Sequence, residues 1–188
     1  MLAMVLALAA IALVALAVVG PVEKGIREIT LPLRHEDIIR QQADAKDLDP
    51  ALIAAVIYQD SKFRDRTSSA GALGLMQLLP ETAHYIARKT GGTQFTTEDL
   101  STPQINISYG SWYLRYLIDH YDGHKTLAIA AYNAGETNVD KWVADAGGPD
   151  RFDETEHIPF PETRHYVKSV LEHERLYRKK YARELGIE

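Results

Sequence analysis

One carboxylate stands where an apolar helix meets a glycine-containing loop. From Val56 to Leu79 the chain reads VIYQDSKFRDRTSSAGALGLMQLL. Leu52, Ile53, Val56 and Ile57 recur at helical spacing, and Asp60 falls on the same face. A carboxyl in line with an apolar stripe loses solvation. Its charged form is then disfavoured, its pKa rises, and it becomes a general acid. An Asp at a helix end can equally bond a nearby backbone N–H or pair with Lys62 or Arg64. Spacing alone leaves both readings open.

Three further stretches carry groups that could face Asp60. The loop from Ser68 to Gln77 has two glycines, Gly71 and Gly74, among small residues. They allow close approach of another chain or a ligand. Met76 and Gln77 follow, the amide of Gln77 being suited to a sugar; the plain alternative is a tight turn with Met76 filling the core. Ala131-Tyr132-Asn133-Ala134-Gly135 ends an apolar helix with two hydrogen-bonding side chains. Asn can read an acetamido group and Tyr can stack on a sugar face, though Asn and Gly are also ordinary helix caps. In the stretch Pro161-Glu162-Thr163-Arg164-His165-Tyr166-Val167 a proline sets the approach, Glu162 opens a helix, and Tyr166 lies one turn in. There Glu162 also reads as a favourable charge at a helix start, and Tyr166 as a core residue.

These groups must be held by helices. Asp49-Pro50, Pro80 and Thr102-Pro103 read as helix starts, with proline at the first helical position. Gly91-Gly92 and Asp122-Gly123 read as stops. The spacing predicts helices over His35–Lys46, from Asp49 through Asp60, from Pro80 past Ile86, from Thr102 to near Asp122 (carrying Ile105, Trp112, Tyr113, Tyr116 and Leu117), over Lys125–Asn133 and Glu136–Ala144, and from about Glu162 to Arg183 with Tyr166, Val170 and Leu176 inward. No run alternates as strands do, so the expected class is all-α, or α+β at most; residues 91–101 and 147–160 could each hold a small hairpin.

Composition narrows the partners. The 188-residue chain carries a net charge of −5 with both signs interspersed, which argues against nucleic-acid binding. Cysteine is absent, so disulfides and thiolate metal sites are excluded. Seven histidines occur, but no HExxH or comparable ligand spacing; neither a metal nor a cofactor is expected. The basic run Arg175, Arg178, Lys179, Lys180 and Arg183 reads as a solvated helix face.

Residues 1–19 are all apolar and Gly20-Pro21 stops the run. In helical form such a run spans about 28 Å, close to a bilayer core. We read residues 1–20 as a membrane anchor. A cleaved signal peptide is the rival, suggested by Ala15-Leu16-Ala17, though no basic residue precedes the run. Residues 21–34 then form a connector and 35–188 the functional domain. Lys24, Arg27 and Arg34 follow the span, a bias that favours a cytoplasmic body unless function places it outside.

The order and spacing of four segments resemble one family. Tyr58-Gln59-Asp60-Ser61-Lys62-Phe63, Ser69-Ala70-Gly71-Ala72-Leu73-Gly74-Leu75-Met76-Gln77-Leu78-Leu79-Pro80, Ala130-Ala131-Tyr132-Asn133-Ala134-Gly135 and Pro161-Glu162-Thr163-Arg164-His165-Tyr166-Val167 together resemble the soluble lytic transglycosylase catalytic domain, related in fold to goose-type lysozyme. The resemblance spans about residues 34–183. It implies a lysozyme-like helical fold at the bacterial cell envelope, an extracytoplasmic body, and peptidoglycan glycan strands as partner. The implied reaction cleaves the β-1,4 bond between N-acetylmuramic acid and N-acetylglucosamine without water, leaving a 1,6-anhydromuramoyl end. The family's acid is Glu followed by Ser; this chain has Asp60-Ser61. The resemblance makes Asp60 catalytic, has Ser61 support the carboxyl, lines the sugar subsites with Met76 and Gln77, sets Tyr132 and Asn133 at the acetamido sugar, and places Tyr166 near the acid and Glu162 at the cleft edge. An Asp is one methylene shorter, so weakened activity is expected. The rival expectations are a glycan-binding protein that no longer cuts and a muramidase using a second carboxylate, Asp65 or Glu81.

Overall fold

The computed structural model describes residue 25 and residues 29–187. Residues 34–188 form one compact unit. The apolar run 1–19, and with it the anchor reading, lies outside the described residues; among those described, no helix is long and apolar enough to cross a membrane.

The unit is helical, as the sequence predicts. Its α-helices are α1 (Glu36–Lys46), α2 (Pro50–Ser61), α3 (Pro80–Thr90), α4 (Pro103–His120), α5 (Lys125–Ala134), α6 (Glu136–Ala146), α7 (Glu154–His157), α8 (Pro161–Lys180) and α9 (Ala182–Leu185). Proline opens α2, α3, α4 and α8 at the first turn, where its missing N–H costs nothing. Asp49 caps α2 by accepting from the Ala51 N–H at 2.9 Å. Gly91 and Gly147 end α3 and α6 in the left-handed conformation.

Two helices form the centre. Ala51 to Ile57 of α2 are all buried, as are Leu127 to Ala131 of α5. A helix apolar on every side must be surrounded. Accordingly α8 packs along α2 and also against α5, while α4 packs on α5 and α1. This α2–α5–α8 contact fixes where the chemistry can sit. It brings the last turn of α2, the C-terminal end of α5 and the first turns of α8 to one side.

Three expectations need correction. Residues 91–101 and 147–160 hold short 3₁₀ turns, Thr97–Ser101 and Pro149–Arg151, rather than hairpins. The bridges that do occur among the described residues, Thr67 with Leu73 and Leu73 with Leu78, pinch the loop after α2 instead. The last helix does not run unbroken to Arg183: it ends at Lys180 and restarts as α9. On α8 the buried positions after Val170 are Glu174 and Tyr177, with Leu176 only half-buried.

Candidate active site

Asp60 sits on the last turn of α2. The hydroxyl of Tyr166, on α8, donates to its Oδ1 at 2.9 Å. Its Oδ2 is shut off from solvent and has no hydrogen-bond partner among the described residues. A carboxylate oxygen buried without a donor is costly, so the protonated form gains. Burial pushes the Asp60 pKa up to about 7; the Tyr166 bond, then the Arg66 and Lys62 charges, pull the other way and do not prevail. Burial and the Asp60 charge in turn hold the Tyr132 and Tyr166 phenols well above their ordinary range.

Ser61, beside it, does not support the carboxyl. It is buried, and its Oγ donates to the Ile57 carbonyl at 3.0 Å, a bond within its own helix. The helix stops at once: Lys62 and Phe63 both take positive φ, 55° and 59°. The turn carries Arg66 back so that its Nη2 donates to the Asp60 carbonyl at 2.6 Å.

The glycine loop is locked from behind by a residue that the sequence did not single out. Asn106 of α4 is fully buried. Its Oδ1 accepts from the Met76 N–H at 2.8 Å, and its Nδ2 donates to the Leu73 and Leu100 carbonyls at 3.0 Å each. Gly74 (φ 77°) is required here twice over, by its backbone angle and because a Cβ would run into the Asn106 amide and the Leu100 carbonyl. The Met76 side chain is not in the cleft wall. It is fully buried against Gly110, where an added Cβ would lie 2.5 Å from its Sδ. Met76 reaches the site only through its carbonyl, which accepts from the Tyr132 hydroxyl at 2.9 Å. Gln77 (φ 41°) spends both amide hydrogens inside the loop, on the Arg66 carbonyl at 2.9 Å and the Gly74 carbonyl at 2.7 Å. Toward a ligand it offers only Oε1, an acceptor.

These elements enclose a groove of about 650 Å³. Asp60, Gln77, Tyr132, Asn133, Glu162 and Tyr166 all line it; Ser61 and Met76 do not. Asn133 is exposed, and its Oδ1 accepts from the Thr163 Oγ1 at 2.8 Å, which leaves its two N–H groups for a ligand. Arg66, Tyr113 and His165 also line the groove and were not anticipated as site residues. Tyr113 was visible as part of the α4 stripe, but only its packing beside Tyr132, 5.7 Å between rings, turns it to the groove. Of the two extra carboxylates considered, Asp65 is outside the lining and Glu81 borders a neighbouring recess. Among the described residues, no three His, Asp or Glu side chains are grouped to hold a metal ion.

The arrangement can do one kind of chemistry well. A half-buried carboxylic acid, protonated near neutrality, lies beside acceptors and donors suited to hydroxyl and acetamido groups. Residues 37–154 match the model of the transglycosylase SLT domain. The chain is 32% identical over 154 residues to the soluble lytic murein transglycosylase of Escherichia coli K12, a match covering 80% of this chain and 24% of that protein. Among solved structures it superposes on an inactive Glu-to-Gln mutant of lytic transglycosylase Slt from Pseudomonas aeruginosa with a TM-score of 0.75 at 37% identity, over 83% of this chain and 26% of that one. The 70 kDa soluble lytic transglycosylase of Escherichia coli gives the same TM-score, 0.75, at 32% identity over 81% of this chain and 25% of its own. The matched part is thus about a quarter of these relatives' length. With the family model covering more than half of the chain, the protein belongs to the transglycosylase SLT domain family.

Proposed function

We propose that this protein is a peptidoglycan lytic transglycosylase of the bacterial cell envelope, with Asp60 as its single acid and base. The observation that carries the reading is the Asp60 carboxyl on the groove wall, with a solvent-sealed, unpartnered Oδ2 and a pKa raised to about 7. Asp60 gives its proton to the bridging oxygen as the muramoyl C1–O bond breaks. The neighbouring acetamido oxygen shares the positive charge that develops at C1. The sugar's 6-hydroxyl then bonds to C1 and returns its proton to Asp60, closing the 1,6-anhydro ring. Water takes no part, so no second carboxylate is needed, unlike most glycosidases.

The surrounding groups fit these steps. The Tyr166 hydroxyl stabilises the carboxylate once its proton has left. The Asn133 N–H groups face the acetamido sugar, and the Gln77 Oε1 accepts from a sugar hydroxyl. Glu162 stands exposed on the rim. Asp is one methylene shorter than Glu, and a retreat of about 1 Å costs on the order of a hundredfold in rate, about 2.7 kcal/mol. We read this chain as a slow enzyme, anchored through residues 1–20 with its body outside the cytoplasm.

The test is mass spectrometry of soluble fragments released from purified peptidoglycan, with Asp60→Asn as the blank. Anhydromuramoyl ends above that blank are expected. Ordinary reducing ends would make the protein a muramidase. Strand binding without release would leave a glycan-binding protein.

A further inference from the structure

Beside the groove lies a second recess of about 420 Å³, lined by Glu81, Thr82, Tyr85, Tyr113, Tyr116 and Glu136. It shares Thr82 and Tyr113 with the groove, so a strand lying along the groove has this recess next in its path. Among the described residues its lining contains two carboxylates, three tyrosines and no cation.

The walls are built. Tyr113 and Tyr116 of α4 stack, 6.1 Å between rings and 13° between planes. Tyr85 of α3 meets Tyr116 edge-on at 6.0 Å. Glu136 opens α6, and both α4 hydroxyls donate to it: Tyr116 to Oε2 at 2.9 Å and Tyr113 to Oε1 at 3.3 Å. Burial, then the Glu136 charge and hydrogen bond, hold the Tyr113 phenol above its ordinary range; for Tyr116 a hydrogen bond with Tyr85 leads, followed by burial and Glu136. One ring already takes a cation: the Lys89 ammonium lies 5.5 Å from the Tyr85 ring centre. Elsewhere around the recess, His120 stacks on Tyr116 and bonds Asp140. Aromatic faces around a carboxylate favour a positively charged group over a neutral one.

We infer that this recess is an ammonium subsite, taking a strand sugar that carries a free 2-amino group in place of the acetamido group. The inference rests on the reading of the groove as a glycan site and adds a substrate preference to it. At the Asp60 end the groove presents the Arg66 guanidinium and the Asn133 amide, which suit neutral acetamido sugars and acidic groups. At the recess end it presents the carboxylates of Glu81 and Glu136 among three tyrosine rings. A de-N-acetylated sugar would therefore be held away from the reacting bond, with an N-acetylated one at Asp60. A free amine on a peptide stem offers the same chemistry from a different source.

The experiment is a calorimetric titration of the full chain in dilute buffer, below the pKa of the sugar amine. The probes are the β-1,4 tetramer of N-acetylglucosamine, the same tetramer of glucosamine, and a muramoyl peptide with its side-chain amine free or acetylated. Trp112, stacked on Tyr116 at 5.6 Å, gives an independent fluorescence signal. The glucosamine tetramer should bind about tenfold more tightly than the acetylated one, the combined effect of an exposed ion pair and a cation–π contact. Salt should erase that ratio. Glu136→Gln should bring it close to one, since the amide lacks the charge while its oxygen still accepts from one tyrosine hydroxyl and its NH2 can donate to the other. Glu81 is exposed, so Glu81→Gln should lower the ratio partly without disturbing folding. A preference for the free amine only on the peptide, lost in Glu136→Gln, keeps the ammonium subsite and moves its source to the stem. Equal binding of free and blocked amines, or a preference untouched by both variants, overturns it. The acetylated tetramer reports on the groove separately: if it fails to bind while the amine preference persists, the groove reading falls and the ammonium subsite stands.

Discussion

The decisive perturbation is Asp60→Asn, read by stability rather than by activity. A carboxyl whose folded-state pKa lies above its unfolded one holds its proton more tightly in the folded chain. The stability this contributes is fully present below the ordinary pKa of 3.8 and is lost as pH rises through about 7. A rise from 3.8 to about 7, at 1.36 kcal/mol per unit, is about 4 kcal/mol. Asparagine is neutral at every pH and has no such loss. Urea unfolding of both proteins at a series of pH values should therefore give a difference, variant minus wild type, that climbs by about 4 kcal/mol between pH values near 4 and near 8. Most other titrating groups contribute alike to both proteins and cancel. The new amide's own hydrogen bonds add only a constant offset. A difference that varies by less than ~1.4 kcal/mol, one unit's worth, would refute the claim that Asp60 is desolvated. The general-acid assignment would fall with it.

Tyr166→Phe removes the one donor to the carboxylate among the described residues and keeps the ring. Hydrogen bonds to charged groups are worth about 1.5–3 kcal/mol, so the Asp60 pKa should rise further, by roughly one to two units; the loss of kcat/KM on the alkaline side should move up in pH by that amount, and an unmoved midpoint would contradict the bond's role. Asp60→Glu restores the longer stem and should raise fragment release by about a hundredfold; no rise would mean that the groove is incompetent for another reason. Asn106→Ala leaves the Met76 N–H and the Leu73 and Leu100 carbonyls without their buried partner. It should cost about 3 kcal/mol and lower Tm by about 10 °C, measured by calorimetry.

Helix starts were legible because proline and a capping Asp act locally. Pro50, Pro80, Pro103 and Pro161 each stand at a first turn whatever the rest of the chain does. The Asp60 position was legible for a related reason: it continues a stripe with a fixed period. What lay beyond reach was direction within the loop. Met76 and Gln77 are neighbours without periodicity, and nothing in their types says that one turns to the core and the other to the groove. That choice is made by Gly110, which leaves space for the Met76 thioether, and by Asn106, which fixes the main chain at the Met76 N–H. Both sit on α4, about thirty residues later in sequence. Asn106 looks like one more polar helical residue until its three partners are known. Ser61 misled for the opposite reason, since a hydroxyl beside an acid suggests support, but the helix directs it to the Ile57 carbonyl.

Backbone strain in the described unit gathers around Asp60 and the loop beside it. Three non-glycine residues near the groove, Lys62, Phe63 and Gln77, hold positive φ. Each such residue costs on the order of 1–3 kcal/mol and persists only where its surroundings over-determine it. Here they do. Lys62 closes α2 by donating to the Tyr58 carbonyl at 3.0 Å while its ammonium lies 3.8 Å from the Tyr58 ring centre. Phe63 is buried beside Tyr177, 6.1 Å between rings. Gln77 is held by two bonds to loop carbonyls. The effect is to end α2 one residue after Asp60 and fold the chain back at once. The Arg66 guanidinium then grips the Asp60 carbonyl, and the Arg66 carbonyl accepts from both Gln77 and the Gly74 N–H, the latter at 3.0 Å. The acid is thus fixed to the loop that forms the opposite wall. The Arg66 clamp therefore couples the position of Asp60 to the shape of the groove, since one residue ties the Asp60 carbonyl to the loop that carries Gln77.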